Sequence, residues 1–573
     1  MENNIFTIRQ KLNLIESQLK LESSSFEPMW KDLSEFILPR RGRFFVDDVN
    51  NGENKNRSII DSTASLACRT LASGMMTGVT SPARDWFRLT TDNSNLNENS
   101  SVRLYLDDVA SRMRATFLRS NLYNVLPTLY GDLGAFGTGC VYMEEDVKDS
   151  VVFTSFPIGS YRISNDMKGN VIIFFREFQM TVRQIVEKFG KINPNNPTSI
   201  DWSNISDTVK TLWMAGNTEF QINVKHMILP NDDYNPNKME SKFKKFKSCY
   251  YENGGSNSSS LNLYNYDRML SEKGYDYFPV MAVRWELAGE DTYGTNAPGM
   301  VALGDVKQLQ FHEKRIAQAI DQKVKPSMVG PTSLKNVKTS ILPGEITYMD
   351  EREGQARFRR LFEIDFDIRE LEGKQEQLRS RISKSFYEDL FLMLSRSNRR
   401  QITATEIEER QEEKLLALGP VLERVNQDLL NPLIENTFII MQKQGMLPPA
   451  PDELQGQEYK IEYVSIMAQA QKLAGISYIE RLVGFVGQAA QLDPTIVEKL
   501  NIEEVIESYA NQLGTPPKLL RTKEELEKIK QAQAQAQEQQ AQIQNGIQVS
   551  KAARDLSQTN ISDNSALTQL LGV

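Results

Sequence analysis

A chain of 573 residues, 40% hydrophobic and 25% charged, has room for several domains with a real buried core. Its formal net charge of −8 gives no bulk reason for tight nucleic-acid binding, and three widely spaced cysteines (Cys68, Cys140 and Cys249) make no disulfide framework and suit a reducing cytoplasm. Met1 to Leu14 lacks an apolar stretch flanked by basic residues, so no signal peptide is expected, and no apolar run approaches the roughly 20 residues that span a bilayer.

Residues 1–38 read as helical, with Ile5, Ile8, Leu12, Ile15 and Leu19 at helical spacing. Pro39-Arg40-Arg41-Gly42-Arg43 breaks the pattern with a basic cluster, and the polar stretch from Asp48 to Arg57 carries an Asn51-Gly52 turn signal. A helix is expected over 61–76, with Leu66, Leu71 and Met75 as its apolar face. Ser81-Pro82 stops it, and Trp86-Phe87-Arg88-Leu89 begins an extended segment. Beyond the asparagine-rich loop at 93–101, a helix over 105–118 presents Leu106, Val109, Met113 and Phe117. After Gly139 the period shifts toward two, and strands are expected at 151–156, 171–178, 220–228, 248–251 and 280–285. Residues 167–170 read as a turn between two of them and 253–260 as a flexible loop tip, so the region to about residue 290 is mixed α+β.

Two long helices are then expected around a short β-rich insertion. The first covers about 301–323, with Val306, Leu309, Ile316, Ile320 and Val324 in register, and Pro326 ends it. The insertion, 326–362, carries Gly330-Pro331, Pro343-Gly344 and the alternating Glu345-Ile346-Thr347-Tyr348. The second helix covers about 367–394, through Ile368, Leu371, Leu378, Ile382, Phe386 and Leu390. A polar connector, Ser395-Arg396-Ser397-Asn398-Arg399-Arg400-Gln401, follows. Thr403-Ala404-Thr405-Glu406 then fits a capping box, with a hydroxyl positioned to accept a free backbone N–H and Glu406 three residues on. Leu415, Leu418, Leu422, Val425 and Leu429 continue one helix face, and Pro420 after Gly419 kinks that helix or starts a new one. Leu447-Pro448-Pro449-Ala450-Pro451 is a breaker, 459–463 reads as a strand, and nearly everything from Ile466 onward reads as helix. The Gln/Ala run at 531–544 reads either as helix in need of neighbours or as a frayed tail.

Little in the chain points to catalysis. Of the two histidines, His226 sits in an alternating run and His312 in a charged helix, and neither has the company of a metal site or triad. Gly131-Asp132-Leu133-Gly134-Ala135-Phe136-Gly137-Thr138-Gly139 lacks the lysine of a phosphate loop and the spacing of a dinucleotide loop, so close helix-to-strand packing explains its glycines better. The acidic pairs Asp47-Asp48, Asp107-Asp108 and Asp232-Asp233 have no third ligand at useful spacing. Arg40, Arg41 and Arg43, or Lys242, Lys244, Lys245 and Lys247, could touch phosphates, although the lysines alternate with Phe246 as on a solvated strand. No catalytic residue, metal or cofactor is expected.

Four segments in this order resemble the portal, or head-to-tail connector, proteins of short-tailed bacteriophages. They are Leu71-Ala72-Ser73-Gly74-Met75 with Thr80-Ser81-Pro82 and Trp86-Phe87; Gly134 to Gly139; Tyr293-Gly294 with Pro298-Gly299 and Leu303-Gly304-Asp305; and the Thr403-to-Glu406 motif with Gly419-Pro420. The resemblance covers about residues 25–440. It implies a helix-rich α+β portal fold: a wing at 1–300, a first stem helix at 301–325, a clip at 326–365, a second stem helix at 366–394, a tunnel-loop region at 395–401, a helical second part of the wing at 402–464, and a helical crown or barrel at 465–573. It further implies a dodecamer at one capsid vertex, assembled in the host cytoplasm, through which double-stranded DNA passes in packaging and ejection. Its implied partners are the terminase, a tail adaptor, and the major capsid and scaffolding proteins, with no membrane. Arg396, Arg399 and Arg400 would face the DNA, and the net negative charge would make a wall along which phosphates slide. Two other classes stay open: a different virion or scaffolding protein with a helical assembly tail, and a metal-dependent enzyme acting on nucleic acid.

Overall fold

The computed structural model describes residues 8–252 except for a few positions, 269–325, 328–329, 359–360, 368–396, 418–454, 459–464 and 476–489, with isolated residues beyond. The chain divides into two compact units, one of Met1–Phe87, Ala110–Leu447 and Tyr463–Ala474, the other of Arg88–Val109, Pro448–Glu462 and Gly475–Val573.

The first unit opens with α1 (Ile8–Ser24) and α2 (Glu27–Phe36), the two parts of the expected N-terminal helix, and continues with α3 (Thr63–Val79). On α3, Leu71 and Met75 are buried but Leu66 is exposed, so that part of the expected face is corrected. Small residues, Ala64, Ala67, Ala72, Gly74 and Gly78, supply much of its buried surface and pull the contact stripe away from Leu66. In the second unit, β1 (Phe87–Thr91) begins the extended segment foreseen at Trp86. The helix α4 (Ser100–Arg119) starts there and ends in the first unit, with Leu106, Val109, Met113 and Phe117 buried as its spacing requires.

A helix that periodicity did not reveal follows: α5 (Leu122–Phe136), with Pro127 inside it and Gly131 and Gly134 on its buried side. Gly137 caps it in the left-handed region (φ 73°) and turns the chain straight into β2 (Thr138–Asp146). Both β2 and β4 (Tyr161–Asn165) were absent from the expected strands; β3 (Ser150–Phe156) and β5 (Val171–Thr181) lie where expected. Gly169, at φ 81°, makes the expected turn between β4 and β5. Next come α6 (Val182–Phe189), whose Thr181 and Gln184 complete a capping box, the small hairpin β6 (Ile192–Asn193) and β7 (Asn196–Ile200), and α7 (Asp207–Met214). Strands β8 (Gln221–Pro230), β9 (Phe246–Glu252), β10 (Ser271–Tyr275) and β11 (Val280–Arg284) complete the region.

Five of these strands form one antiparallel sheet in the order β10-β9-β8-β5-β4, and β11-β2-β3 form another. Alternation along the strands divides the larger sheet's two faces. Phe175, Met227, Cys249 and Tyr251 pack with Leu12 and Leu19 of α1. Val224 and Tyr250 point the other way, into a core with Val182, Ile185, Val186 and Phe189 of α6 and Val209 of α7. The α1 face includes one buried ion pair, Lys225 Nζ to both Glu16 oxygens at 2.9 Å.

The long α8 (Pro298–Val324) runs antiparallel to α9 (Ile368–Ser385), as the Arg379–Glu313 and Arg381–Asp305 pairs require, and a two-residue ladder joins β12 (Met328–Val329) to β13 (Arg359–Arg360) between them in sequence. The second expected helix is not continuous. Tyr387 takes a left-handed φ of 54°, and a separate α10 (Glu388–Arg396) starts after it. Phe386, Leu390 and Phe391 are all buried at this corner, so core packing overrides a pattern that could have run straight through. The helix α11 (418–425) passes into a π turn, Asn426–Leu430, and on into α12 (Asn431–Lys443). Pro432 cannot donate to the Asp428 carbonyl, so the α ladder cannot close there and the wider turn takes its place.

In the second unit, β1 pairs with β14 (Tyr459–Tyr463), and α13 (Ile476–Ala489) follows in sequence. Among the described residues no helix is long and apolar enough to cross a membrane. The 253–260 loop, most of the 326–362 insertion and the 531–544 run lie outside the described residues, apart from isolated positions.

Candidate functional site

The glycines of three of the four noted segments meet at the base of α8. A Cβ on Gly137 would lie 2.7 Å from the Gly294 carbonyl oxygen, and one on Gly294 would run into the Gly137 carbonyl oxygen. A Cβ on Gly299 would strike the Ala135 carbonyl, one on Gly134 would meet Leu71, and one on Gly74 would meet Phe391. Hydrogen bonds fasten the same contact: Trp285 N donates to Gly137 O at 2.9 Å, and Gly294 N to Thr138 Oγ1 at 2.8 Å. Backbones approach closely there because no side chains intervene. The result is a closely packed hub on which α3, α5, the start of α8 and α10 converge. The expectation that these glycines serve close packing matches this geometry.

From the hub, polar anchors hold α8 and α9 to the N-terminal segment. Gln310 Oε1 accepts from the backbone N–H groups of Ile60 (2.7 Å) and Asp61 (2.8 Å), while its Nε2 donates to Asp61 O. Arg379 Nε donates to Asp61 Oδ2 at 2.9 Å and its Nη2 to Glu313 Oε1 at 2.8 Å. Burial alone would push the Asp61 carboxyl up, but hydrogen bonds from Thr63 and Arg379 hold it below the ordinary carboxylate range. Arg381 pairs with Asp305, and Lys307 with Asp32.

Beyond these anchors the pair is exposed. Val306 and Leu309 are buried, but Ile320 and Val324, expected in the same register, are 43% and 71% exposed. The far half of α8 therefore lacks the cover its pattern anticipates. Its charge also differs from the chain's. Lys307, Lys314, Arg315 and Lys323 on α8, with Arg369, Lys374, Arg379, Arg381 and Lys384 on α9, outnumber Asp305, Glu313, Asp321, Glu370, Glu372 and Glu376. The net negative charge of the chain is not carried by these helices.

Of the DNA-facing candidates, Arg396 is the last residue of α10, while Arg399 and Arg400 lie outside the described residues, as do Thr403, Ala404, Thr405 and Glu406. Gly419 and Pro420 lie inside α11, whose Leu418, Val421, Leu422 and Val425 are buried. The basic clusters are largely engaged within the fold. Arg41 forms a bidentate pair with the buried Asp132, Lys244 pairs with Asp276, Lys247 with Glu272, and Lys238 and Lys245 lie over Phe243 and Phe246. Asp48 pairs with Lys55, and Asp47 accepts from Gln179. His226 is fully buried, 3.8 Å from the Tyr250 ring in a parallel stack, with Nε2 against Ser248 Oγ. Burial first, then Arg176, Lys188 and Lys273, hold its pKa well below the ordinary imidazole value. All three cysteines are free and buried, and burial pushes the Cys68 and Cys249 thiols up to about 12. Among the described residues no group of three or more His, Cys, Asp or Glu side chains could hold a metal ion.

One polar centre escaped the sequence reading. Arg284, 1% exposed, donates Nε and Nη2 to the two Asp428 oxygens, both at 2.9 Å, and also reaches Asn165 Oδ1 and the Gly169 carbonyl. The available signal was a lone cation within the apolar run Val280-Met281-Ala282-Val283-Arg284-Trp285.

Helices α8 and α9 thus join a glycine-packed α+β base. Residues 9–520 match the family model of the bacteriophage head to tail connecting proteins, and the chain belongs to that family. It is 42% identical over 564 residues to the portal protein of Salmonella phage epsilon15, covering 98% of each chain. It is 40% identical over 553 residues to the probable portal protein of Bordetella phage BPP-1, covering 96% of each. Its role is that of a phage portal or head-to-tail connector. Among solved structures, a chain of the virion of a native gene transfer agent particle aligns at 10% identity, with a TM-score of 0.30, over 72% of this chain and 88% of that one, too distant a likeness to bear on the fold.

Proposed function

We propose that copies of this chain form a closed ring, of about twelve subunits as the family resemblance implies, at one vertex of the capsid, and that double-stranded DNA passes through its axis during packaging and ejection. The observation that carries the reading is the match to two phage portal proteins over nearly the full length of each. In this reading residues 1–300 and 402–464 make the wing, α8 and α9 the stem, 326–365 the clip, and 465–573 the crown. The clip would meet the terminase and then a tail adaptor; capsid and scaffolding proteins would surround the wing. The exposed outer half of α8 supports a stem, because a helix with unburied Ile320 and Val324 in its core register needs neighbours.

Arg396, Arg399 and Arg400 are proposed to touch passing phosphates. Three arginines per subunit at a constriction make transient, sequence-independent contacts, which suits DNA that must move. Nothing in this role calls for a catalytic residue or a cofactor. The test is negative-stain electron microscopy of the purified full chain, with mass measured on the same sample. Rings with a central hole and about twelve-fold mass support the proposal; a compact small oligomer without a channel overturns it.

A further inference from the structure

The outward side of α8 carries a regular row of exposed residues. Gly304, Gln308, Phe311, Arg315, Gln318 and Gln322 succeed one another at alternating steps of four and three, so they share one face along the helix. The row contains no acidic residue. Phe311 is 56% exposed, and the Arg315 guanidinium lies over its ring, 5.0 Å from the centroid. On α9 the exposed Glu372 and Glu376, one turn apart, form an acidic row, in which Glu376 also pairs loosely with Arg379 of its own helix, at 3.5 Å, and stays 75% exposed.

We propose that the α8 row of one copy docks against the Glu372–Glu376 row of the next copy, so that this pairing is a contact that closes the ring. The inference rests on the ring reading above and names the surface that reading leaves open. Charge and height favour it. Within one copy the Arg379–Glu313 pair fixes the antiparallel register of the two helices. Glu376, one turn from Arg379, then stands at the level reached one turn beyond Glu313, between Arg315 and Gln318. Copies related by rotation about an axis along the stem sit at equal height, so Glu376 of one faces Arg315 and Gln318 of the next. Arg315 supplies a cation, Gln318 and Gln322 supply amide donors, and Phe311 supplies apolar area. The contact is head-to-tail, the kind that generates a ring when the rotation closes.

The test is a charge swap in the full chain, read as the ring fraction by negative stain and native mass, without DNA. R315E and E376R should each lower the ring fraction about tenfold or more, because a modest loss at one exposed pair recurs at every interface around the ring. The double variant should recover most of it. Both positions are exposed, so the circular dichroism of the unassembled chains should equal that of the wild type. Single reversals that assemble like the wild type overturn the surface while leaving the ring reading intact, as does a double variant no better than the singles. Rings that form normally but bind DNA less tightly assign Arg315 to phosphate and also overturn it. A wild-type chain that forms no ring at any concentration overturns the ring reading and this surface together.

Discussion

Arg284 and Asp428 meet as a buried bidentate pair, both bonds at 2.9 Å, and join the end of β11 to the π turn between α11 and α12. Arg284 also reaches Asn165 and the Gly169 carbonyl, so one guanidinium ties the β4–β5 turn to the same point. Removing the acid strands a buried cation, which is far costlier than replacing both partners. Asp428→Ala should lower stability by about 3–5 kcal/mol, whereas Arg284→Met combined with Asp428→Leu should recover a substantial part. Chemical denaturation of the four members of that cycle checks this; an Asp428→Ala loss under about 1 kcal/mol contradicts it.

The Gly137–Gly294 approach makes a second prediction. Gly294→Ala forces a methyl into the Gly137 carbonyl and should cost about 3 kcal/mol or more. Gly373, on α9, has open space around its missing side chain, and Gly373→Ala should stabilise by up to about 1 kcal/mol. Thermal melts of the two single variants separate tight packing from generic helix propensity.

His226 should make the α+β region acid-sensitive. Its folded pKa lies well below 6.5, so the unfolded chain binds a proton that the folded one refuses. This stability is fully present above about pH 6.5 and falls by about 1.4 kcal/mol for each pH unit below it, until the folded pKa is reached. His226→Gln should lose stability at neutral pH but flatten this slope. Urea midpoints at several pH values between 7 and 5 report it; an unchanged slope in the variant contradicts it.

The three connector arginines should act on DNA without acting on assembly. Replacing Arg396, Arg399 and Arg400 together with alanine should leave ring formation intact and reduce packaged DNA length or its retention. Particle DNA measured by gel and by nuclease protection distinguishes the outcomes, and unchanged packaging removes these residues from the DNA path.

Much of the α+β region was legible because strands such as β5 and β8 alternate cleanly over a two-faced sheet, and α4 keeps its helical spacing. The helix α5 was hidden by Pro127 and its glycines, which argue against a helix locally but here lie against other elements. The corner at Tyr387 was illegible because Phe386, Leu390 and Phe391 also suit a straight helix, and only tertiary packing selects the left-handed turn. Leu66 shows the reverse, an apolar residue left outside because small neighbours define the contact face. Among candidate site residues, the glycine segments were found as a pattern, but that three of them converge on one hub depends on the fold. Arg41 read as one of a basic cluster able to touch phosphates and instead pairs with the buried Asp132, since composition records charge but not its partner.

The most direct test of the portal role is cryo-electron microscopy of the mature phage particle, reconstructed without imposed symmetry. A ring of this chain at a single vertex, with density for DNA along its axis and α8 and α9 forming its narrow waist, is the expected result. The chain at every vertex, or a single-vertex ring built from another protein, would contradict it.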